Sequence, residues 1–387
     1  MNIHLQEPHA DMTAYVRQAL DACMASGSVR NGGSAPSVRR LTSGTGSLAL
    51  FYVGAEPSIV IKIGASDVMR EETDFFEAAR AFTKNAPLID FPAVYCRSIE
   101  RPIGWFAMEA GQDVTIEHDL YDGAGELVEG WERTLVRFAR CMAPVYSETL
   151  TPDAWQLDHY HLTGRTTALL TENEAMRVNA GQIAGLPCFS DIVASHVLIN
   201  GHSFAAPLTM LNRAMGRMTP DAAPSSFIHG DLQLRNIIPS QQHEGFLLID
   251  PRASWEGRAP HAAFQGSPLY DAANVLHSIA GLSPILIKKE SGGAAPLSSL
   301  SLSDSRLVVD LDDRYFASTE AGIEAAEDSI AQMLPAAALR GNWRVRLYLY
   351  AANSCFGWLR SQTVVPDLQT WACIYATGIR MLGRAAQ

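Results

Sequence analysis

The chain has 387 residues, 47% of them hydrophobic and 18% charged, and its 30 basic and 41 acidic side chains give a net charge of −11. That hydrophobic share excludes wholesale disorder, and at roughly 100–200 residues per domain the length predicts two or three domains. No apolar run reaches the roughly 18–20 residues that cross a bilayer, and the opening MNIHLQEPHADM lacks the basic and apolar regions of a secretory signal. An acidic chain without Lys/Arg clusters is also a poor nucleic-acid partner, because phosphate neutralisation supplies most of that affinity. The expectation is a soluble, cytoplasmic protein with neither a membrane nor a nucleic-acid partner.

Residues 11–25 place Met12, Tyr15, Val16 and Leu20 at near-helical spacing, and 30–37 form a turn-rich connector. The period then changes. Residues 41–53 and 58–64 read as strands, 69–82 as a helix, and 91–100 and 103–110 as two more strands. From about residue 130 the pattern is mainly helical, with 131–146, 191–217, 270–280, 322–334 and 343–361 as helices. Phe227–Ile228 and the apolar run 246–249 outline a hairpin around a polar loop, and 288–305 (KKESGGAAPLSSLSLSDS) reads as a Gly/Ser-rich loop. The predicted fold class is α+β: a small antiparallel sheet lobe followed by a larger, mainly helical lobe. The predicted domains are an N-terminal helical extension over 1–37, an N-lobe over 38–110, and a C-lobe over 111–387 carrying a catalytic hairpin at 227–252.

The six cysteines lie 18 or more residues apart with no CxxC pair, which argues against structural zinc. Without a secretory signal they read as buried, reduced thiols. His159 and His161 alternate like a metal pair, but no third ligand stands at a recognisable spacing. Neither GxSxG nor GxxxxGK[ST] occurs.

The hairpin carries the chemistry. It reads His229-Gly230-Asp231-Leu232-Gln233-Leu234-Arg235-Asn236, and its second apolar run ends in Asp250-Pro251-Arg252. A carboxylate is thus followed five residues later by an amide, and a second carboxylate ends the next strand. Phosphoryl transfer needs a group that takes the acceptor hydroxyl's proton and oxygen ligands that hold Mg²⁺ on a triphosphate. Asp231 fits the first role, and Asn236 and Asp250 fit the second. Gly230 suits a tight turn, and His229 could tie the loop down.

This HGDxxxxN pattern, followed by an apolar strand ending in Asp, resembles the aminoglycoside phosphotransferase and choline kinase superfamily, which has a protein-kinase-like two-lobed fold. The resemblance implies ATP and Mg²⁺ as cofactors and a small-molecule hydroxyl as acceptor. It also implies a glycine turn over the phosphates, for which Gly44 and Gly46 in LTSGTGSLALFYV stand, as GxGxxA rather than GxGxxG. A strand lysine should follow. A lone lysine there can simply guard a sheet edge, but only four lysines exist, and Lys62 lies 18 residues after Gly44. Its implied glutamate partner is Glu72, with Glu71 as the alternative. Met108, Glu109 and Ala110 stand where the resemblance implies an adenine-facing linker, and Asp271 where it implies a carboxylate supporting the catalytic loop.

Arg252 departs from the family pattern; it suits transferred phosphate, an anionic acceptor, or an ion pair with Asp250 or Glu256. Asp153, Asp158, Glu172, Glu174 and Asp191, with Trp155 and Tyr160, could meet a cationic acceptor or form a solvated surface. The reading is therefore a small-molecule kinase acting on a sugar, amino alcohol or aminoglycoside-like hydroxyl. A nucleotide-binding pseudokinase and a protein-directed kinase are the alternatives.

Overall fold

The computed structural model describes residues 12–30, 37–41, 47–99, 102–112, 114–154, 158–172, 178, 189–218, 224–240, 244–252, 264–303, 306–361, 365 and 367–387. These fall into two compact units. The first is drawn from 1–81, 90–112 and 252–259, the second from 82–89, 113–251 and 260–387.

In the first unit, helix α1 (Met12–Ala25) precedes strands β1 (Ser37–Leu41), β2 (Ala49–Gly54) and β3 (Ile59–Ala65) and helix α2 (Ser66–Phe82). The short β4 (Ile89–Asp90), whose first residue falls in the second unit, is followed by β5 (Val94–Ile99) and β6 (Ile103–Glu109). Five of these strands form an antiparallel sheet in the order β1-β2-β3-β6-β5.

Strand alternation sets which residues face which helix. Ile59, Ile61 and Ile63 of β3 are fully buried in one cluster with Val16, Ala19 and Cys23 of α1. Each of the isoleucines contributes about 1.5–3 kcal/mol by leaving water. The intervening Lys62 pairs in register with Phe106, whose ring lies 6.3 Å from Phe76 of α2. Lys62 therefore faces α2, not α1. Gly104 permits the close approach of α2, since a Cβ there would lie 3.2 Å from the Ser66 backbone.

The sequence reading of six reduced thiols is corrected here: Cys23 of α1 and Cys96 of β5 form a disulfide across 73 residues. Spacing along the chain could not reveal the pair, because it depends on how α1 lies on the sheet. Trp105 adds a second tie, donating its indole N–H to the Gln18 side chain at 3.1 Å.

The second unit is mainly helical: α3 (Ile116–Leu120), α4 (Trp131–Glu148), α5 (Arg165–Thr171), α6 (Phe189–Ala194), α7 (Pro207–Arg217), α8 (Pro268–His277), α9 (Ser283–Glu290), α10 (Asp313–Met333), α11 (Trp343–Trp358) and α12 (Leu368–Ala386). Among them run β7 (Thr151–Ala154), β8 (His196–Ile199), β9 (His202–Phe204), β10 (Pro224–Phe227), β11 (Ile237–Pro239), β12 (Phe246–Leu248), β13 (Gln265–Gly266), β14 (Leu297–Ser303) and β15 (Arg306–Leu311). Helices α8 and α11 are buried on nearly every face, so they form the centre of the unit. The expected order, an antiparallel sheet first and helices after, is the observed one.

Three local expectations fail. The predicted helix over 191–217 breaks into α6, the β8–β9 hairpin and α7. Asn200 and Gly201 adopt left-handed backbone at its tip (φ 44° and 80°), which a continuous helix could not accommodate. The stretch 288–305 is not a loop throughout: its Leu/Ser alternation forms β14, paired antiparallel with β15. Phe227 is not an arm of the polar hairpin, for it pairs with Gln265 of β13. The hairpin arms are instead β11 and β12, with Ile237 opposite Leu248.

Candidate active site

Strand β10 delivers the chain into His229-Gly230-Asp231. The strand is tied to α4 at two points: the Ser226 hydroxyl donates to the Tyr146 carbonyl at 2.9 Å, and the Phe227 N–H to the Thr149 hydroxyl at 3.0 Å. Gly230 then turns in left-handed backbone at φ 80°, where a side chain would be strained. Its neighbours hang on Asp271, in the first turn of α8. One Asp271 oxygen accepts the Gly230 N–H at 2.7 Å; the other accepts the His229 N–H at 2.7 Å and the Tyr146 hydroxyl at 2.8 Å. Burial pushes the Asp271 carboxyl up to about 6, and the three donors hold it from going higher.

The His229 ring is a spacer inside this turn. Its Nε2 lies 3.0 Å from the Ile249 carbonyl, and its Nδ1 accepts the Asp231 N–H at 3.3 Å. A carbonyl can only accept, so Nε2 carries the proton and Nδ1 the lone pair. Burial lowers the imidazole to about 4, which keeps it neutral and compatible with both bonds.

The β11–β12 hairpin brings the other two residues together. Asn236 immediately precedes β11, and the Ile249 N–H, just after β12, donates to the Asn236 carbonyl at 3.0 Å. Asp250 follows in left-handed backbone at φ 54°, a conformation Asp tolerates better than most residues. Asn236 donates its side-chain N–H to the Asp231 carbonyl at 2.9 Å and to the Asp231 carboxylate at 3.4 Å. That orientation leaves the amide oxygen as its donor to a metal. Asn236 and Asp250 thus place two hard oxygen donors at one end of a hairpin. This suits Mg²⁺, which takes few protein ligands and keeps waters and phosphate oxygens. Among the described residues no group of three or more His, Cys, Asp or Glu is arranged to hold a metal.

Sequence reasoning passed over residues inside HGDxxxxN that the structure shows at work. Gln233 donates to the Asp231 carboxylate at 3.0 Å. Arg235 reaches Glu117 of α3 at 3.1 Å and Glu290 of α9 at 3.4 Å, clamping the loop between two helices. The Leu234 N–H donates to the Ser278 hydroxyl at 3.4 Å. Their only signal in the sequence is their position within the motif.

In the first unit, Lys62 and Glu72 form a buried ion pair, with Nζ 2.8 and 2.7 Å from the two carboxylate oxygens. Glu72 lies on the buried stripe of α2 with Met69, Phe75, Phe76 and Ala79. Glu71 is half-buried, and its carboxyl is raised by burial and by Asp67 and Asp74. Met108 is buried in β6, opposite Val60. The Glu109 and Ala110 N–H groups are engaged by the carbonyls of Ala93 (2.8 Å) and Ser58 (3.2 Å). An adenine edge at this segment would therefore have to be met by groups other than those two donors. Gly44 and Gly46 lie outside the described residues. Arg252 is half-buried and falls in the first unit.

Asp158 is bound up within the second unit by Arg346 and the Tyr350 hydroxyl. It is a structural anchor there rather than an open carboxylate. Trp155 and Glu174 lie outside the described residues. No helix among the described residues is long and apolar enough to cross a membrane.

No protein-family model and no curated protein sequence matches the chain. Solved structures do. The chain is similar to APH(2″)-IIia in its GDP and kanamycin complex, with 12% identity over 95% of this chain and 98% of that one, at a TM-score of 0.44. It is similar to aminoglycoside phosphotransferase APH(3″)-Id from Streptomyces rimosus ATCC10970, in complex with ADP and streptomycin, with 14% identity over 90% and 99% of the two chains and a TM-score of 0.42. It is likewise similar to macrolide 2′-phosphotransferase MphH from Brachybacterium faecium, with 12% identity over 95% and 97% and a TM-score of 0.41. The chain is thus similar, over 90% or more of its length, to three solved structures whose proteins are known as phosphotransferases or bind a nucleoside diphosphate with an aminoglycoside.

Proposed function

We propose that this protein is a small-molecule kinase that moves the γ-phosphate of ATP to an acceptor hydroxyl. The observation that carries this reading is the hydrogen-bonded assembly of Asp231, Asn236 and the Ile249-Asp250 turn at one end of the β11–β12 hairpin. Asp231 orients the acceptor hydroxyl. As that oxygen bonds to the γ-phosphorus and the bond to the leaving β-phosphate oxygen breaks, Asp231 takes the hydroxyl proton.

Asn236 and Asp250 are the residues that would hold Mg²⁺, which when bound neutralises charge developing on the phosphates. Lys62, held extended by Glu72, supplies a cation for phosphate oxygens. His229 and Asp271 fix the loop, so that little reorganisation remains for the reaction itself. Arg252 is proposed to contact the transferred phosphate or an anionic group of the acceptor.

The acceptor class is a sugar, amino alcohol or aminoglycoside-like polyol. A coupled ADP-release screen over sugars, amino alcohols, nucleosides and aminoglycosides tests the reading. At least one acceptor should support turnover, and Asp231→Asn should abolish it while sparing nucleotide binding. Full-rate turnover by Asp231→Asn would overturn the assignment, as would nucleotide binding with no transfer to any hydroxyl.

A further inference from the structure

We propose that Gln233 is a positioning residue that sets the orientation of the Asp231 carboxylate; this rests on the catalytic reading of Asp231 given above. The geometry is specific. The Gln233 side-chain N–H donates to Asp231 Oδ2 at 3.0 Å, while the Gln233 backbone N–H donates to the Asp231 carbonyl at 2.9 Å. The Gln233 carbonyl in turn accepts the Asn236 N–H at 2.9 Å. Main chain and side chain of Gln233 are therefore both folded back onto the carboxylate two residues earlier. The amide orientation is forced, because an ionised carboxylate only accepts and the flipped amide would set two acceptors against each other.

The other end of the amide gives the argument its direction. Gln233 is 6% exposed, and its Oε1 is buried with no hydrogen-bond partner among the described residues. A buried acceptor without a donor destabilises the fold, and an apolar side chain of the same size would relieve that cost. Stability alone therefore favours leucine or methionine at this position. What glutamine supplies in exchange is one charge-assisted hydrogen bond to the group that must hold a hydroxyl and accept its proton. That hydrogen bond removes one of the rotational options of the Asp231 side chain.

A structural role and a positioning role predict opposite signs. Gln233→Leu and the more adaptable Gln233→Met should raise the urea midpoint or leave it unchanged. With an acceptor found in the ADP-release screen, kcat should fall about tenfold or more with KM for nucleotide nearly constant. Independently of turnover, carbon NMR of aspartate-labelled protein at one neutral pH, with the Asp231 signal assigned through Asp231→Asn, should show the Asp231 carboxyl signal displaced in both variants.

An undisplaced Asp231 carboxyl signal overturns the inference, and so does a kcat that is unchanged or falls only in step with lost stability. Failure of the catalytic reading looks different: Asp231→Asn would then turn over at full rate, whatever the Gln233 variants show.

Discussion

Asp271 holds Gly230 across 41 residues of sequence, accepting its N–H at 2.7 Å while the same carboxylate takes the His229 N–H at 2.7 Å and the Tyr146 hydroxyl at 2.8 Å. One buried side chain therefore satisfies two consecutive backbone donors in a left-handed turn and couples them to α4 through Tyr146. Unmet, those donors would each carry the cost of a buried, unpaired polar group. Asp271 is the keystone of the loop that presents Asp231.

Asp271→Asn keeps the size of the side chain but sets an amide N–H against a backbone N–H. Stability to urea should fall by about 1–3 kcal/mol. Turnover should fall about 10²-fold through displacement of Asp231. Nucleotide affinity measured by calorimetry should change much less, because Lys62, the lysine proposed to bind nucleotide, lies in the other unit. An unaltered kcat would show that the loop holds its shape without this carboxylate.

The pH dependence of stability carries two opposing contributions. Burial raises the Asp271 carboxyl from 3.8 to about 6, so folding favours its protonated form. Its stabilising contribution is full below about 3.8 and is lost as pH rises through about 6. Burial lowers His229 and His277 from 6.5 to about 4, so folding favours neutral rings. Their contribution is full above about 6.5 and is lost as pH falls through about 4. Between these limits Asp271 offsets part of the histidine loss. Urea midpoints of Asp271→Asn should therefore drop more steeply from pH 6.5 to 4 than those of the wild type; parallel profiles would refute the linkage.

Lys62 and Glu72 are 6% and 3% exposed and joined at 2.7 Å, so removing either strands a buried charge. Lys62→Met or Glu72→Leu alone should cost about 3–5 kcal/mol. The double variant should recover much of that loss, since the pair as a whole gains little over an apolar replacement. Nucleotide affinity should stay low in the double variant. Additive stability losses would mean that the two residues do not act as a pair.

The disulfide between Cys23 and Cys96 ties α1 to the edge strand β5 of the first unit. Six cysteines less these two leave at most four thiols to react with a thiol reagent in unreduced, denatured protein. Cys23→Ser should lower stability by roughly 2–4 kcal/mol, mainly by freeing the unfolded chain. Six reactive thiols without reductant would remove the bond from the account.

The site was legible in part because its chemistry is local. Asp231 and Asn236 lie five residues apart on one loop, and the apolar run before Asp250 marks a strand end whatever it pairs with. Lys62 stood out as the charge in an alternating apolar strand, and Glu72 through the phenylalanines that turn its face of α2 inward. Gln233 and Arg235 were not legible, although they sit within the same motif. Their roles depend on where Glu117, Glu290 and the Asp231 side chain come to lie, and no spacing encodes that. The misread helix at 191–217 has a related cause. Its apolar spacing fits a helix, but the Asn200-Gly201 turn and pairing of β8 with β15, more than a hundred residues on, outweighed local preference.

By itself the sequence determined the order of a sheet-rich part and a helical part, and it carried the motif on which the proposal of phosphoryl transfer rests. Periodicity and motif spacing are properties of neighbours along the chain, and they survive without knowledge of the fold. Only the tertiary structure decided which glutamate meets Lys62, which cysteines join, and which strands form the β11–β12 hairpin. It also showed that the Asp231 carboxylate is held by Gln233 and Asn236 on a loop hung from Asp271. Those choices are contacts between distant segments, set by packing and by the need to satisfy buried polar groups, and they exist only once the chain is folded.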